Sequence, residues 1–182
     1  MRKGSAAYAE HVLDLFTEVM HKAVTIGPLR EISDGITPSL AQGLQYVSQH
    51  GVCSVSDIAR GLSMTYSAAS QLTERLVKRG LVTRRENIRD RRLSEIELTE
   101  TGCRLMEEIH TRRVAGMSRI LGRMRPETRE SLVQDLEGFI AAAIGDEGTA
   151  LDACSHCGRD HVAECVINEV YQAATGMPIR RT

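Results

Sequence analysis

Apolar residues recur at helical spacing along most of this chain. In residues 5–25, Val12, Leu13, Phe16, Val19, Met20 and Val24 follow a 3.6-residue period and predict a long amphipathic helix. Gly27-Pro28 is expected to break it, with a loop over 30–35. Thr37-Pro38 places an N-cap and a first-turn proline ahead of a second helix, which Leu40, Leu44 and Val47 carry to Gly51. Ser54 with Asp57 three residues on predicts a capping box and a short helix over 55–62. Thr65 opens the next helix, with Ala69, Leu72, Leu76 and Val77 as its apolar stripe and Gly80 at its C-cap. Its opposite face carries Ser67, Ser70, Gln71, Glu74 and Lys78, with Arg75 beside them. The period then changes to two. Residues 81–85 and 94–98 read as strands, the second with Ile96 and Leu98 inward and Glu95 and Glu97 outward. A polar loop, 86–92, joins them. Thr99 caps a long helix to about Arg123, carrying Leu105, Met106, Ile109, Val114, Met117, Ile120 and Leu121. Pro126 starts another over 126–144, with Leu132, Val133, Leu136, Phe139 and Ile140; residues 145–148 read as a flexible acidic linker.

Two short helices with a tight link, followed by a β-ribbon, are the ingredients of a winged helix-turn-helix. The expected fold is mainly α with a small β-wing. It divides into an N-terminal dimerisation helix and loop (1–36), the winged helix-turn-helix (37–98), C-terminal dimerisation helices (99–145) and a small helical metal-binding module (150–176). The flanking helices have more apolar surface than one small domain needs, so a partner subunit is their expected cover.

Charge sharpens the reading. Between Arg75 and Arg92 stand Arg75, Lys78, Arg79, Arg84, Arg85, Arg89, Arg91 and Arg92, opposed only by Glu86 and Asp90, a net +6. The whole chain of 182 residues is −1, which leaves about −7 elsewhere. A basic surface on an otherwise acidic protein is the footprint of a polyanion-binding face. Apolar residues make up 42% of the chain, with no Trp and two Phe, so the core is aliphatic. No run of 18 apolar residues offers a membrane span, and the N-terminus lacks the apolar segment of a signal peptide; a cytoplasmic location is expected.

The order of parts resembles the MarR family of bacterial transcription regulators. Ser54-x3-Ile58-Ala59-x2-Leu62 resembles that family's positioning helix. Thr65-x-Ser67-x2-Ser70-x-Leu72-x2-Arg75-Leu76-x2-Arg79-Gly80-Leu81-Val82 resembles its recognition helix and first strand. Asp90-Arg91-Arg92 followed by Leu98-Thr99-x2-Gly102 resembles its wing and the start of its dimer helix, with Asn87-Ile88 where the family often has Asp-Pro. The likeness covers about residues 5–144. It implies a homodimer on double-stranded DNA with a pseudo-palindromic operator, recognition helices in successive major grooves and wings in flanking minor grooves. Carried over by position, Ser67, Ser70, Gln71 and Arg75 face the major groove. Arg92 is the wing-tip arginine beside Arg89 and Arg91, and Asp90 orients a neighbouring arginine. The resemblance also leaves room for a small-molecule effector. On chemistry alone, Gln suits adenine and Arg suits guanine, a wing arginine suits a narrow minor groove, and the hydroxyls with Lys78 suit phosphates.

The cysteines are uneven. Cys53 and Cys103 stand alone and are expected to be buried filler, whereas Cys154, Cys157 and Cys165 cluster. Cys154-x2-Cys157-Gly158 looks like a zinc knuckle. Asp160 is expected to cap a helix on which His161 and Cys165, four residues apart, share a face. Cys154, Cys157, His161 and Cys165 together match a closed tetrahedral Cys3His site for zinc. An iron–sulfur cluster and a reversible Cys154–Cys157 disulfide are the alternatives. Two rival functions remain to be weighed: a thiol oxidoreductase built on Cys154-x2-Cys157, and a winged helix that only binds proteins. A closed four-ligand site leaves no position for substrate, no other catalytic motif is present, and the basic ribbon favours nucleic acid over a purely protein partner.

Overall fold

In the computed structural model of the chain, which describes residues 4–32, 35–86, 94–157 and 165–179, the first helix does not stop at Gly27-Pro28. Helix α1 (Ala6–Met20) is capped by Ser5, whose hydroxyl accepts from the Tyr8 amide at 3.3 Å. It runs on as a π-helical turn, His21–Ile26, and then as α2 (Gly27–Arg30). A proline inside an α-helix loses one hydrogen bond and drives its ring into the carbonyl four residues back. The wider turn carries the chain past this obstacle, with the Gly27 amide reaching back five residues to the Lys22 carbonyl. The expected break is a change of pitch.

The winged unit follows its local signals closely. Helix α3 (Pro38–His50) begins at Thr37, whose Oγ1 accepts from the Leu40 amide at 3.3 Å. Helix α4 (Val55–Gly61) has the full capping box: the Asp57 amide donates to Ser54 Oγ at 3.2 Å and the Ser54 amide to Asp57 Oδ2 at 2.9 Å. Helix α5 (Tyr66–Lys78) is capped by Thr65. Strands β1 (Val82–Glu86) and β2 (Ser94–Leu98) pair antiparallel, with Val82 opposite Leu98 and Arg84 opposite Ile96. Cys53 lies on the other side of β2 and exchanges two backbone hydrogen bonds with Ile96, at 3.1 and 2.8 Å. Leu44, Ile58, Leu76 and Ile96, one from each of α3, α4, α5 and β2, have no exposed surface and form the centre of the core.

One side of the predicted α5 stripe shifts. Val77 is 37% exposed, and Thr73 is buried in its place. The Thr73 hydroxyl donates to the Ala69 carbonyl at 2.8 Å, so burial leaves no unmade hydrogen bond.

After β2, α6 (Glu100–Leu121) packs Leu105 and Ile109 into the same core, and α7 (Pro126–Ala143) follows. Residues 145–148 are not a linker. Asp146 Oδ1 accepts from the Thr149 amide at 2.8 Å and its hydroxyl at 3.1 Å, which starts α8 (Glu147–Cys157) almost at once. Helix α9 (Val166–Thr175) packs against α8 and α7. No helix among the described residues is long and apolar enough to cross a membrane.

Candidate nucleic-acid interface

Two layers of contacts fix the outward face of α5. Below it, Ala69, Leu72, Thr73 and Leu76 are buried against α3 and α4. Above it, Ser67, Gln71, Arg75 and Lys78 are exposed and Ser70 is half-buried, its hydroxyl 3.4 Å from Glu74 Oε1. The helix is held from underneath while its polar side chains stay free to meet a ligand. The turn before it includes Ser63 at φ 51°, a left-handed conformation uncommon outside glycine. Tyr66, the first residue of α5, is 59% exposed; its aromatic character falls outside the polar pattern that picked out its neighbours.

The far end of α5 is tied to the wing and to α6 by one threonine. Thr99 Oγ1 lies 2.7 Å from the Gly80 carbonyl and 3.1 Å from that of Leu81, and accepts from the Gly102 amide at 3.0 Å. A Cβ on Gly102 would sit 2.1 Å from the Leu81 carbonyl oxygen, so only glycine lets the first turn of α6 approach this closely. The Leu98-Thr99-x2-Gly102 pattern is thus a clamp joining the end of α5, the ribbon and α6. On the ribbon, Arg84 and Arg85 are exposed and Arg85 stands opposite Glu95. Arg89, Asp90, Arg91 and Arg92 lie outside the described residues.

The isolated cysteines part company. Cys53 is buried, and burial pushes its thiol up to about 11, with Asp57 adding to the rise. It is protonated filler at neutral pH, as expected. Cys103 is exposed, contrary to expectation, because it faces away from the buried Gly102–Leu105–Ile109 side of α6.

The C-terminal cysteines also depart from the expected local structure. Cys154 and Cys157 belong to the last turn of α8 instead of a knuckle; Cys154 is buried and Cys157 exposed. Helix α9 begins at Val166 with Cys165, in extended backbone, as its N-cap, so Cys165 does not lie within the helix expected from Asp160. His161 lies outside the described residues, and among the described ones no three His, Cys, Asp or Glu side chains group to hold a metal.

A cleft of about 560 Å³ lies where the π-helical turn meets the winged unit. His21 and Thr25 come from the turn, Gln42, Gln45 and Tyr46 from α3, and Arg113 from α6. Arg113 Nη1 donates to Gln45 Oε1 at 3.2 Å. Gly61 also lines the cleft and lies against the Tyr46 ring, where a Cβ would fall 2.0 Å from the ring carbon Cε2.

A helix held from below, a second helix set across it and a ribbon clamped at its end define a winged helix-turn-helix protein. A sequence profile of the MarR family matches residues 34–93. Over 107 residues the chain is 32% identical to the uncharacterized HTH-type transcriptional regulator YsmB of Bacillus subtilis (strain 168), covering 57% of this chain and 73% of YsmB. Over 100 residues it is 33% identical to the HTH-type transcriptional repressor MdtR of the same organism, covering 55% of this chain and 63% of MdtR, less than two thirds of that protein's length. The crystal structure of YusO from Bacillus subtilis superposes with a TM-score of 0.60 at 26% identity, over 78% of this chain and 99% of that one. The chain belongs to the MarR family, whose members are transcription regulators and not enzymes.

Proposed function

We propose that this chain is a cytoplasmic, sequence-specific DNA-binding repressor that acts as a homodimer. The observation that carries the reading is α5: a helix anchored through Ala69, Leu72, Thr73 and Leu76 that presents Ser67, Gln71, Arg75 and Lys78 to solvent beside a basic ribbon. Gln71 and Arg75 suit adenine and guanine edges in a major groove. Ser67, Ser70 and Lys78 suit phosphates. Arg89, Arg91 and Arg92, with Asp90 as support, suit the flanking minor groove. The repressor named among its relatives favours negative regulation.

The second copy is argued from bare helices. Neither α1 nor α7 contains a buried residue, and they expose Val12, Phe16 and Val19, and Val133, Phe139 and Ile140. A two-fold dimer covers such faces and sets half-sites about 10 base pairs apart. The test is selection of duplexes from a randomised pool, then affinity measured against salt. Enrichment of a pseudo-palindrome with a steep salt dependence supports the reading, and Lys78→Ala should flatten that dependence by about one unit of slope per bound chain. A monodisperse monomer, or binding indifferent to salt and sequence, would refute it. The cleft around His21, Gln45 and Arg113 is the proposed seat of a small-molecule effector.

We further propose that Cys154, Cys157, His161 and Cys165 hold one zinc per chain, with an iron–sulfur cluster as the alternative. Support comes from the ligand chemistry and from the hairpin. Tyr171 Oη donates to Glu147 Oε1 at 3.3 Å, which sets the middle of α9 beside the start of α8. A rise of 1.5 Å per residue then brings Cys165 and Cys154 to about the same height. Zinc binding should leave the protein colourless and an iron centre should colour it. Cys157→Ser should release the metal and leave the winged unit folded; a variant that keeps its metal refutes the ligand set.

A further inference from the structure

Aromatic residues are scarce in this chain, 3% of the total, and most are placed in structural roles or on the bare helices. Within residues 38–98 there are two. Tyr46 is half-buried, its ring stacked on His50 at 4.0 Å between centroids and pressed against Gly61. Tyr66 is 59% exposed, and no described residue hydrogen-bonds its hydroxyl. It supplies nothing to the core and does not cap the helix, since Thr65 does that. An amphipathic ring with both its face and its hydroxyl unused is suited to an interface.

Its position says which interface. Tyr66 is the first residue of α5 and shares a flank of the helix with Ser70, four residues on. In helix-turn-helix proteins the N-terminal residues of the second helix are those that meet base edges. Glutamine and arginine further along read hydrogen-bonding edges; an aromatic ring cannot. The one apolar feature on the major-groove edges of the bases is the C5-methyl group of thymine. We infer that Tyr66 is a specificity-determining residue that packs its ring on a thymine methyl in each operator half-site, its hydroxyl directed to a backbone phosphate. This inference rests on the DNA-binding reading of α5 and adds to it a base that the polar residues do not read.

The test uses the full-length chain and the duplex it selects from a randomised pool. That duplex is resynthesised with deoxyuridine replacing one thymidine per half-site at a time, which removes only the methyl group. At one position the wild-type protein should lose about fourfold in affinity for each half-site, the worth of one buried methyl. Tyr66→Ala should bind the thymine and uracil forms equally at that position, whereas Tyr66→Phe should keep the discrimination while binding both forms less tightly. Indifference of the wild type to uracil at every position would overturn the inference, as would discrimination that persists in Tyr66→Ala. Both results leave the DNA-binding reading intact. Failure to enrich any sequence would overturn that reading, and this inference with it.

Discussion

Helices α5 and α7 are both amphipathic, 13 and 18 residues long, yet α5 buries four residues and α7 buries none. The shorter helix sits on α3 and α4, and its far end is clamped through Thr99. Among the described residues the longer one packs chiefly against α9. The same contrast separates α3, which buries Leu40, Ala41, Gly43, Leu44 and Val47, from α1, which buries nothing. One region completes its core by itself; the other carries apolar faces that the described residues do not cover. Isolated helices of these lengths are marginal in water, so in the proposed dimer the second region would gain from association in a way the first does not.

The largest expected effect comes from making one change in both regions. Leu44→Ala, at a side chain with no exposed surface, should cost about 2–5 kcal/mol in urea unfolding. Phe139→Ala, at a side chain 54% exposed, should change the stability of the separated monomer by less than about 0.5 kcal/mol. Equal losses would show that the two regions share one core. Next is Gly61→Ala. Its Cβ would fall on the Tyr46 ring, and overpacking of this kind costs about 1–3 kcal/mol. The cleft should change shape as well, which amide exchange around α3 would report.

A smaller effect is expected for Phe16→Asp on α1. A charge in the proposed dimer face should raise the dissociation constant at least tenfold, about 1.4 kcal/mol, read by sedimentation across a dilution series. The winged unit should keep its unfolding midpoint once measured as monomer. An unchanged dissociation constant would remove α1 from the dimer face. The smallest is Ser54→Ala, which removes a capping box and should cost about 1 kcal/mol. It also carries a pH signature. Hydrogen bonds from the Ser54 hydroxyl and then the Ser54 amide, helped by Arg60, hold the Asp57 carboxyl below the usual carboxylate range. A carboxylate depressed in the folded state contributes stability above its unfolded value and loses it as pH falls through the folded value. Wild-type stability should therefore drop on the acid side of the carboxylate range, and Ser54→Ala should show a shallower drop.

Much of the winged unit was legible in the sequence because its signals are local. Thr37, Ser54, Thr65 and Thr99 each cap the helix that follows by reaching an amide three residues away, a geometry fixed by neighbouring residues alone. The alternation over 94–98 fixed which side of β2 faces inward, with Ile96 fully enclosed. The outward set Ser67, Gln71, Arg75 and Lys78 followed from the same periodicity. Where two residues could serve equally well, the pattern failed. Val77 and Thr73 are both sterically suited to a helix interior, and only the position of α3 and α4 decided that threonine goes in and valine stays out. Cys103 is a small apolar residue that the packing of α6 left outside.

Composition and spacing, then, determined the class of protein: the helices, the ribbon, their caps and the basic face, all set by interactions within a few residues or by charges that can simply be counted. Tertiary structure decided what depends on distant partners. It placed the Tyr46 ring over Gly61 and pressed α6 against the Leu81 carbonyl at Gly102. Each of these turns on how closely two segments far apart in sequence can approach, a quantity that periodicity along the chain does not contain.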